Sequence, residues 1–210
     1  MLEHLIVCRH GETVWNIERR AQGRADSPLT DAGIAQARSL GRALAARGIE
    51  HVVSSTLGRA LHTAEIVAEI AGCTVSVDER LVERSFGELE GQNFDQMALD
   101  PMWTAVVRCT DPDATAPGSE SLREVAARVM AALHDARALP YRTLAVITHG
   151  QSISALLGTL HASSDFSAFR HGNCGYTPLH VQEGGFMADA WNIDPLAVAE
   201  AETSLVTDQK

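Results

Sequence analysis

Three short apolar runs in this chain end on polar, chemistry-bearing residues, and no other feature restricts its fold so much. Leu5-Ile6-Val7-Cys8, His51-Val52-Val53-Ser54-Ser55 and the segment TLAVITHG from Thr143 to Gly150 are short and apolar at successive positions instead of alternate ones. Strands of that kind are buried on both faces, as in the middle of a largely parallel sheet covered by helices. The stretches between them have helical spacing. Thr30 is placed to cap a helix carrying Ile34, Ala37, Leu40 and Leu44 and stopping at Gly48. A second helix carries Leu57, Leu61, Ala64, Ala68 and Ala71 up to Gly72, and TVSV at 74–77 reads as a further strand. Ser121 and Glu124 have capping-box spacing for a third helix with Leu122, Val125, Val129 and Leu133, closed by Pro140. A fourth begins near Ser152 and carries Ile153, Leu156, Leu157 and Leu160. Residues 177–182 and 186–193, on either side of Gly184-Gly185, predict a hairpin.

This alternation predicts an α/β fold, a three-layer sandwich with a mostly parallel central sheet flanked by helices. Residues 80–120 depart from it. Gly87, Gly91, Pro101, Pro112, Pro117 and Gly118 are expected to interrupt any helix there, leaving an irregular excursion over the sheet. With 210 residues, 45% of them hydrophobic, positions 1–210 are expected to form a single domain, the last ten residues fraying. No apolar run reaches membrane-spanning length and MLEHLIVC lacks a signal-peptide pattern, so the expectation is a cytoplasmic protein without membrane contact. Cys8, Cys73, Cys109 and Cys174 form no CxxC pair and read as reduced thiols. A net charge of −10 argues against nucleic acid as a partner. Lys210 is the only lysine, so the positive charge is arginine, the better bidentate grip for phosphate or carboxylate. A homodimer is admitted by these residues but not dictated by them.

In open α/β sheets ligands bind beyond the carboxyl ends of the strands. Arg9, His10 and Asn16 follow the first run, Ser54, Ser55 and Arg59 the second, and His149 and Gly150 the third. If those strands are neighbours, two imidazoles and two guanidiniums meet in one crevice, which suits a dianion. Two arginines and one protonated histidine can neutralise a phosphoryl group as charge shifts onto its oxygens, and an unprotonated imidazole can attack its phosphorus. The chain has no Walker loop, no HExxH and no paired-carboxylate cluster, so neither a metal nor a cofactor is expected and protein cations must stabilise the charge.

Arg9-His10-Gly11-Glu12 after a strand resembles the signature of the histidine phosphatase superfamily, the phosphoglycerate mutase-like proteins. Gly23 to Thr30 with Gly33 is similar to that family's segment before its first helix, and Ser55-Thr56-Leu57-Gly58-Arg59-Ala60 with Thr63-Ala64 to its second arginine motif. Leu81-Val82-Glu83 with Phe86-Gly87 and Glu90-Gly91 resembles its acid motif, Pro117 to Ser121 the segment before its third helix, and Thr148-His149-Gly150 its second histidine motif. The resemblance implies that His10 is a transiently phosphorylated nucleophile. It implies that Arg9, Arg59 and His149 hold the phosphoryl oxygens with help from Asn16, that Gly23 and Gly150 contact substrate, and that Glu83 protonates the leaving oxygen.

The family leaves the outcome open between hydrolysis and transfer. A mutase needs further cations in the excursion to retain its doubly charged intermediate, and residues 93–118 offer Arg108 alone against Asp95, Asp100, Asp111 and Asp113. The expectation is therefore a phosphomonoester hydrolase acting on a small phosphorylated metabolite, with a cofactor-dependent mutase as the alternative. A non-catalytic phospho-ligand binder is a third reading, against which His10 and Glu83 both stand. Gln151, Ser152, Ile153 and Ser154 depart from the arginine that many relatives carry after the second His-Gly, which predicts a substrate less negatively charged than a phosphoglycerate. His4, His51, His62, His134, His161, His171 and His180 read as surface or packing residues, with His171 close to the crevice. Trp15 is expected to wall the pocket, and Trp103 and Trp191 to pack.

Overall fold

The three apolar runs are neighbouring strands of one sheet in the computed structural model, which describes residues 2–98 and 101–197. β1 (His4–Arg9), β2 (His51–Ser54), β3 (Thr74–Val77), β4 (Thr143–Thr148), β5 (Tyr176–Gln182) and β6 (Gly185–Met187) lie in the order β3-β2-β4-β1-β5-β6. β1 to β4 run parallel; β5 is antiparallel to β1, and β6 to β5. The register pairs Arg9 with Thr148 and Ser54 with Ile147, so the carboxyl ends of β1, β4 and β2 are level.

The helices are α1 (Val14–Ile17), α2 (Asp31–Ala45), α3 (Gly58–Ala71), α4 (Phe94–Met97), α5 (Pro101–Arg108), α6 (Leu122–Ala136) and α7 (Gly150–Leu160). Side chains alternate across a strand, and here both sides are apolar. Leu5, Val7, Leu144 and Val146 face the layer built by α6 and α7, while Ile6, Cys8, Ala145 and Ile147 face α2 and α3. Each fully buried leucine of these layers stabilises the fold by roughly 1.5–3 kcal/mol. Among the described residues no helix is long and apolar enough to cross a membrane.

Thr30 caps α2 by accepting from Gly33 N at 2.9 Å, and Ser121 with Glu124 forms the expected capping box on α6. Gly33 also lets α2 approach the loop after β1, because a Cβ there would sit 2.1 Å from Glu12 O. Several boundaries differ from expectation. α6 is capped at Arg137, short of Pro140, because its last turn closes through its own carbonyls. α7 starts at Gly150, two residues early, with His149 as its cap residue. The hairpin is shorter than predicted: β6 ends at Met187, and Ile193 rejoins through a single bridge to Tyr176. The expected fraying of residues 201–210 lies outside the described residues.

The excursion is not helix-free as expected. Pro101 opens α5, a position where its missing N–H is no loss, and α4 precedes it. Phe86, Leu89, Trp103, Val106 and Ala116 close a small core of their own with Ala21. Fully buried Arg84 ties this unit together, its Nε donating to Glu120 O at 2.6 Å, its Nη1 to Val106 O at 2.8 Å and its Nη2 to Ala114 O. Gly87, at φ +56°, lies against Pro117, whose carbonyl oxygen leaves no room for a Cβ.

Candidate active site

A crevice of about 680 Å³ opens over the carboxyl ends of β1, β4 and β2, between the sheet and the excursion. Arg9, His10, Asn16, Gly23, Arg59, Glu83 and Gly150 all line it. His149 stands immediately behind, fully buried, its ring centroid 5.2 Å from that of His10. The residues expected to bind and react with the phosphoryl group therefore belong to one locality.

The two imidazoles are held in defined tautomers, as their hydrogen bonds assign them. His10 Nδ1 lies 2.7 Å from Gly11 O, an acceptor only, so Nδ1 carries the hydrogen and Nε2 keeps its lone pair. His149 Nε2 lies 2.8 Å from Ser55 Oγ, which already accepts from Leu57 N at 3.3 Å. His149 Nε2 is the one acceptor within reach of the Ser55 hydroxyl hydrogen among the described residues, which assigns Ser55 as donor to Nε2 and the hydrogen of neutral His149 to Nδ1. Burial, then the charges of Arg59 and Arg9, pushes His10 well below the ordinary histidine pKa. Burial, Arg59, His10 and Arg9 do the same to His149. Without a ligand the pair is therefore neutral, and the protonated histidine expected from the sequence would require a bound dianion to hold it.

The two guanidiniums are half-tethered. Arg9 Nη1 donates to His171 O at 2.6 Å. Arg59 Nη1 reaches Ala25 O at 2.8 Å and Asp26 Oδ1 at 3.0 Å, and its Nη2 reaches Gly23 O at 2.8 Å. Burial lowers the pKa of both, and Glu83 acts in the opposite sense on each. What remains is unusual: Arg9 Nε, Arg59 Nε, His149 Nδ1 and Gln22 Oε1 are buried without a hydrogen-bond partner. Buried polar atoms are seldom left so. Two of these are guanidinium nitrogens of Arg9 and Arg59, which line the crevice with His10 and bring fixed positive charge to it. Asn16 Oδ1 accepts from Thr13 N, Thr13 Oγ1 and Asn173 Nδ2, each at 3.1 Å, which turns its amide nitrogen toward other work.

Glu83 is fixed by the start of α7. Its Oε1 accepts from Arg84 N at 2.9 Å and Ser152 N at 3.1 Å, and its Oε2 from Gln151 N at 3.2 Å. Ser152 Oγ is 2.9 Å from Val82 O and 3.2 Å from Glu83 Oε1. Arg128 steadies the same segment from below, donating to Val82 O at 2.6 Å and Glu83 O at 3.1 Å.

Gln151 fills its place structurally: Oε1 accepts from Arg84 Nη1 at 3.1 Å and Nε2 donates to Val107 O at 3.1 Å, joining α7 to α5. Ser154 Oγ reaches Phe169 O at 3.1 Å, anchoring the loop that carries Arg170 and His171. His171 does line the crevice, with its ring on Thr177 Oγ1 at 2.6 Å and its pKa pushed down to about 4, chiefly by burial. Trp15 does not wall the crevice; its ring lies beside Gly91, where a Cβ would meet it at 3.6 Å. Trp103 packs in the excursion core and also lines the crevice, while Trp191 sits against Phe169 and His161. His51 is a packing residue bonded to Thr74 and Ser76 Oγ atoms at 2.8 Å. Ser55, Gln22, Arg84 and Arg128 carry weight that sequence reading missed or left unassigned. Only Ser55, at a strand end, had a positional signal.

Two buried guanidiniums and two adjacent imidazoles at one crevice suit a tetrahedral oxyanion and put the chain among α/β proteins that handle phosphoryl groups. The family model of the histidine phosphatase superfamily (branch 1) matches residues 5–194, and the chain belongs to that family. It is 36% identical over 198 residues, 92% of either chain, to a protein named probable phosphoglycerate mutase GpmB from Salmonella paratyphi B. Among solved structures it is similar to a mycobacterial glucosyl-3-phosphoglycerate phosphatase, with a TM-score of 0.82 and 29% identity over 90% of this chain and 99% of that one. It is also similar to a phosphoserine phosphatase from Entamoeba histolytica, with a TM-score of 0.75 and 28% identity over 90% and 96% of the two chains.

Proposed function

We propose that the protein is a phosphomonoester hydrolase that works through a phosphohistidine at His10. The observation that carries this reading is the crevice in which Arg9, Arg59 and Glu83 stand around His10, an imidazole whose Nε2 keeps its lone pair. His10 Nε2 attacks phosphorus, the bond from phosphorus to the ester oxygen breaks, and Glu83 gives that oxygen its proton. Glu83, now a carboxylate, takes a proton from water as the water oxygen attacks the phosphohistidine. The N–P bond breaks, phosphate departs and Glu83 is protonated again. Arg9, Arg59 and His149 meet the charge on the equatorial oxygens throughout, Asn16 and the backbone at Gly23 and Gly150 complete the cradle, and the arginines do the work a metal would otherwise do. EDTA should leave turnover intact. The setting we propose is the cytoplasm, supported by four cysteines that are all free thiols.

The test is hydrolysis of para-nitrophenyl phosphate by wild-type protein, His10→Ala and Glu83→Gln, with acid-stable and acid-labile phosphoprotein separated after a rapid quench. Turnover with an acid-labile phosphoryl group on the wild type and none on His10→Ala is the expected result. Tight phosphate binding without turnover would favour the binder instead. A second reading, a phosphoglycerate mutase, is favoured by the name of the 36% identical relative. It replaces the first if the protein interconverts 3- and 2-phosphoglycerate far faster than it releases phosphate from any monoester.

A further inference from the structure

We propose that Asn192 is a positioning residue for the phosphoryl site, holding the loop after α7 in the shape that aims Arg9 without touching substrate itself. The proposal rests on the phosphatase reading and deepens it by naming what orients one of its two guanidiniums. Among the described residues His171 O is the only acceptor for the Arg9 guanidinium, 2.6 Å from Nη1, and Arg9 Nε has none. The direction of that side chain is thus set by where one carbonyl stands. Three further bonds tie residues 173–175 to the same strand end. Arg9 N donates to Gly175 O at 3.0 Å, and Cys174 N and Asn173 Nδ2 donate to His10 O, each at 3.2 Å. Asn173 Nδ2 also reaches Asn16 Oδ1 at 3.1 Å, so the loop touches three members of the site.

Asn192 grips this loop from outside the crevice, which it does not line. Its Oδ1 accepts from Gly172 N at 2.7 Å. That N–H and the His171 carbonyl belong to one planar peptide unit, so their directions are opposed and fixed relative to each other. Asn192 Oδ1 takes the N–H end of the plane and Arg9 Nη1 the C=O end, and turning the plane breaks both bonds. The backbone of Asn192 lies at φ +56°, in the left-handed region that asparagine enters more readily than most residues. From there its own N–H reaches His171 Nε2 at 3.3 Å and Thr177 Oγ1 at 3.2 Å, so it holds the His171 ring as well as the peptide that follows it. Gly175 makes room for the contact, because a Cβ there would stand 2.4 Å from Asn192 Oδ1. The neighbours pin the residue on either side: Trp191 Nε1 donates to Ala168 O at 3.2 Å, and Ile193 bridges to Tyr176.

The experiment sets Asn192→Gly, which keeps the left-handed backbone and its N–H but loses Oδ1, beside Asn192→Asp, which keeps an acceptor there. Affinity for inorganic phosphate is read by titration calorimetry, and kcat/KM with para-nitrophenyl phosphate and phenyl phosphate, on protein shown to be folded by a thermal melt. If Asn192→Gly does not fold, Asn192→Ala takes its place. Loss of Oδ1 should lower phosphate affinity and kcat/KM roughly tenfold, the scale of a weakened charge-assisted bond, and Asn192→Asp should recover most of it. The kcat/KM loss should be equal for the two esters, because Arg9 grips the phosphoryl group and not the leaving oxygen. In an Arg9→Gln background the same step should cost less than about twofold in phosphate affinity, since the guanidinium it acts through is gone. Undiminished affinity in Asn192→Gly, a loss that Asn192→Asp does not recover, or an equal loss with and without Arg9 overturns the proposal. Failure to turn over either ester would sink the phosphatase reading alone, since phosphate affinity still decides this one.

Discussion

At the scale of single residues, the second histidine is oriented by a hydroxyl that touches no substrate. Ser55 Oγ fixes the hydrogen of His149 on Nδ1, and Nδ1 is one of the open buried donors. Ser55→Ala should lower kcat roughly ten- to hundredfold, below the roughly hundred- to thousandfold cost of losing an oxyanion donor outright because it disorients the donor without removing it, with little change in KM. Ser55→Thr, which keeps the hydroxyl, should recover most of the loss, and a thermal melt near wild type would separate misorientation from unfolding. Arg9, His10, Arg59 and His149 were legible in the sequence because they follow apolar runs, and position after a strand is a linear property, whereas Glu83 and Gly23 were legible only through the resemblance to the family. The tautomers were not, since they depend on where Gly11 O and Ser55 Oγ come to lie.

At the scale of elements, the start of α7 carries two loads. His149 stands at its N-cap position without a side-chain capping bond, and its first free N–H groups, from Gln151 and Ser152, hold the Glu83 carboxylate. The same turn reaches through Gln151 to Arg84 and the end of α5. Arg84→Met strips three carbonyls of their donor and should cost roughly 3 kcal/mol or more in urea unfolding. Gln151→Ala should do less to global stability but should speed proteolysis within 98–118 and raise KM, because the excursion loses its tie to α7. The central strands and the four long helices were readable from periodicity and caps. α4 and α5 were not, because proline reads as a stop signal within a helix, whereas at the first helical position of α5 it is a start. Arg84 and Arg128 look like surface residues on paper, and only the carbonyls converging on them from distant positions show otherwise.

At the scale of the whole molecule, four buried imidazoles, His10, His51, His149 and His171, all have depressed pKa values. The unfolded chain binds their protons below about pH 6.5 while the folded one does not, so stability is complete above that pH and is lost as pH falls. For His171 alone, the drop to about 4 corresponds to roughly 3 kcal/mol between pH 6.5 and 4. Denaturation midpoints should therefore fall steeply over that window, and a His171→Gln variant should show a shallower slope. Millimolar phosphate or vanadate should raise the melting temperature, because a ligand that binds only the folded state adds stability with its concentration.

The loop after α7 clasps the end of β1 through Arg9 Nη1 on His171 O, Arg9 N on Gly175 O, and Asn173 Nδ2 and Cys174 N on His10 O. The parallel pairing of Arg9 with Thr148 and the bond from His10 N to Thr148 O hold the same strand end from the other side, so β1 is gripped both by β4 and by residues more than twenty positions further along the chain.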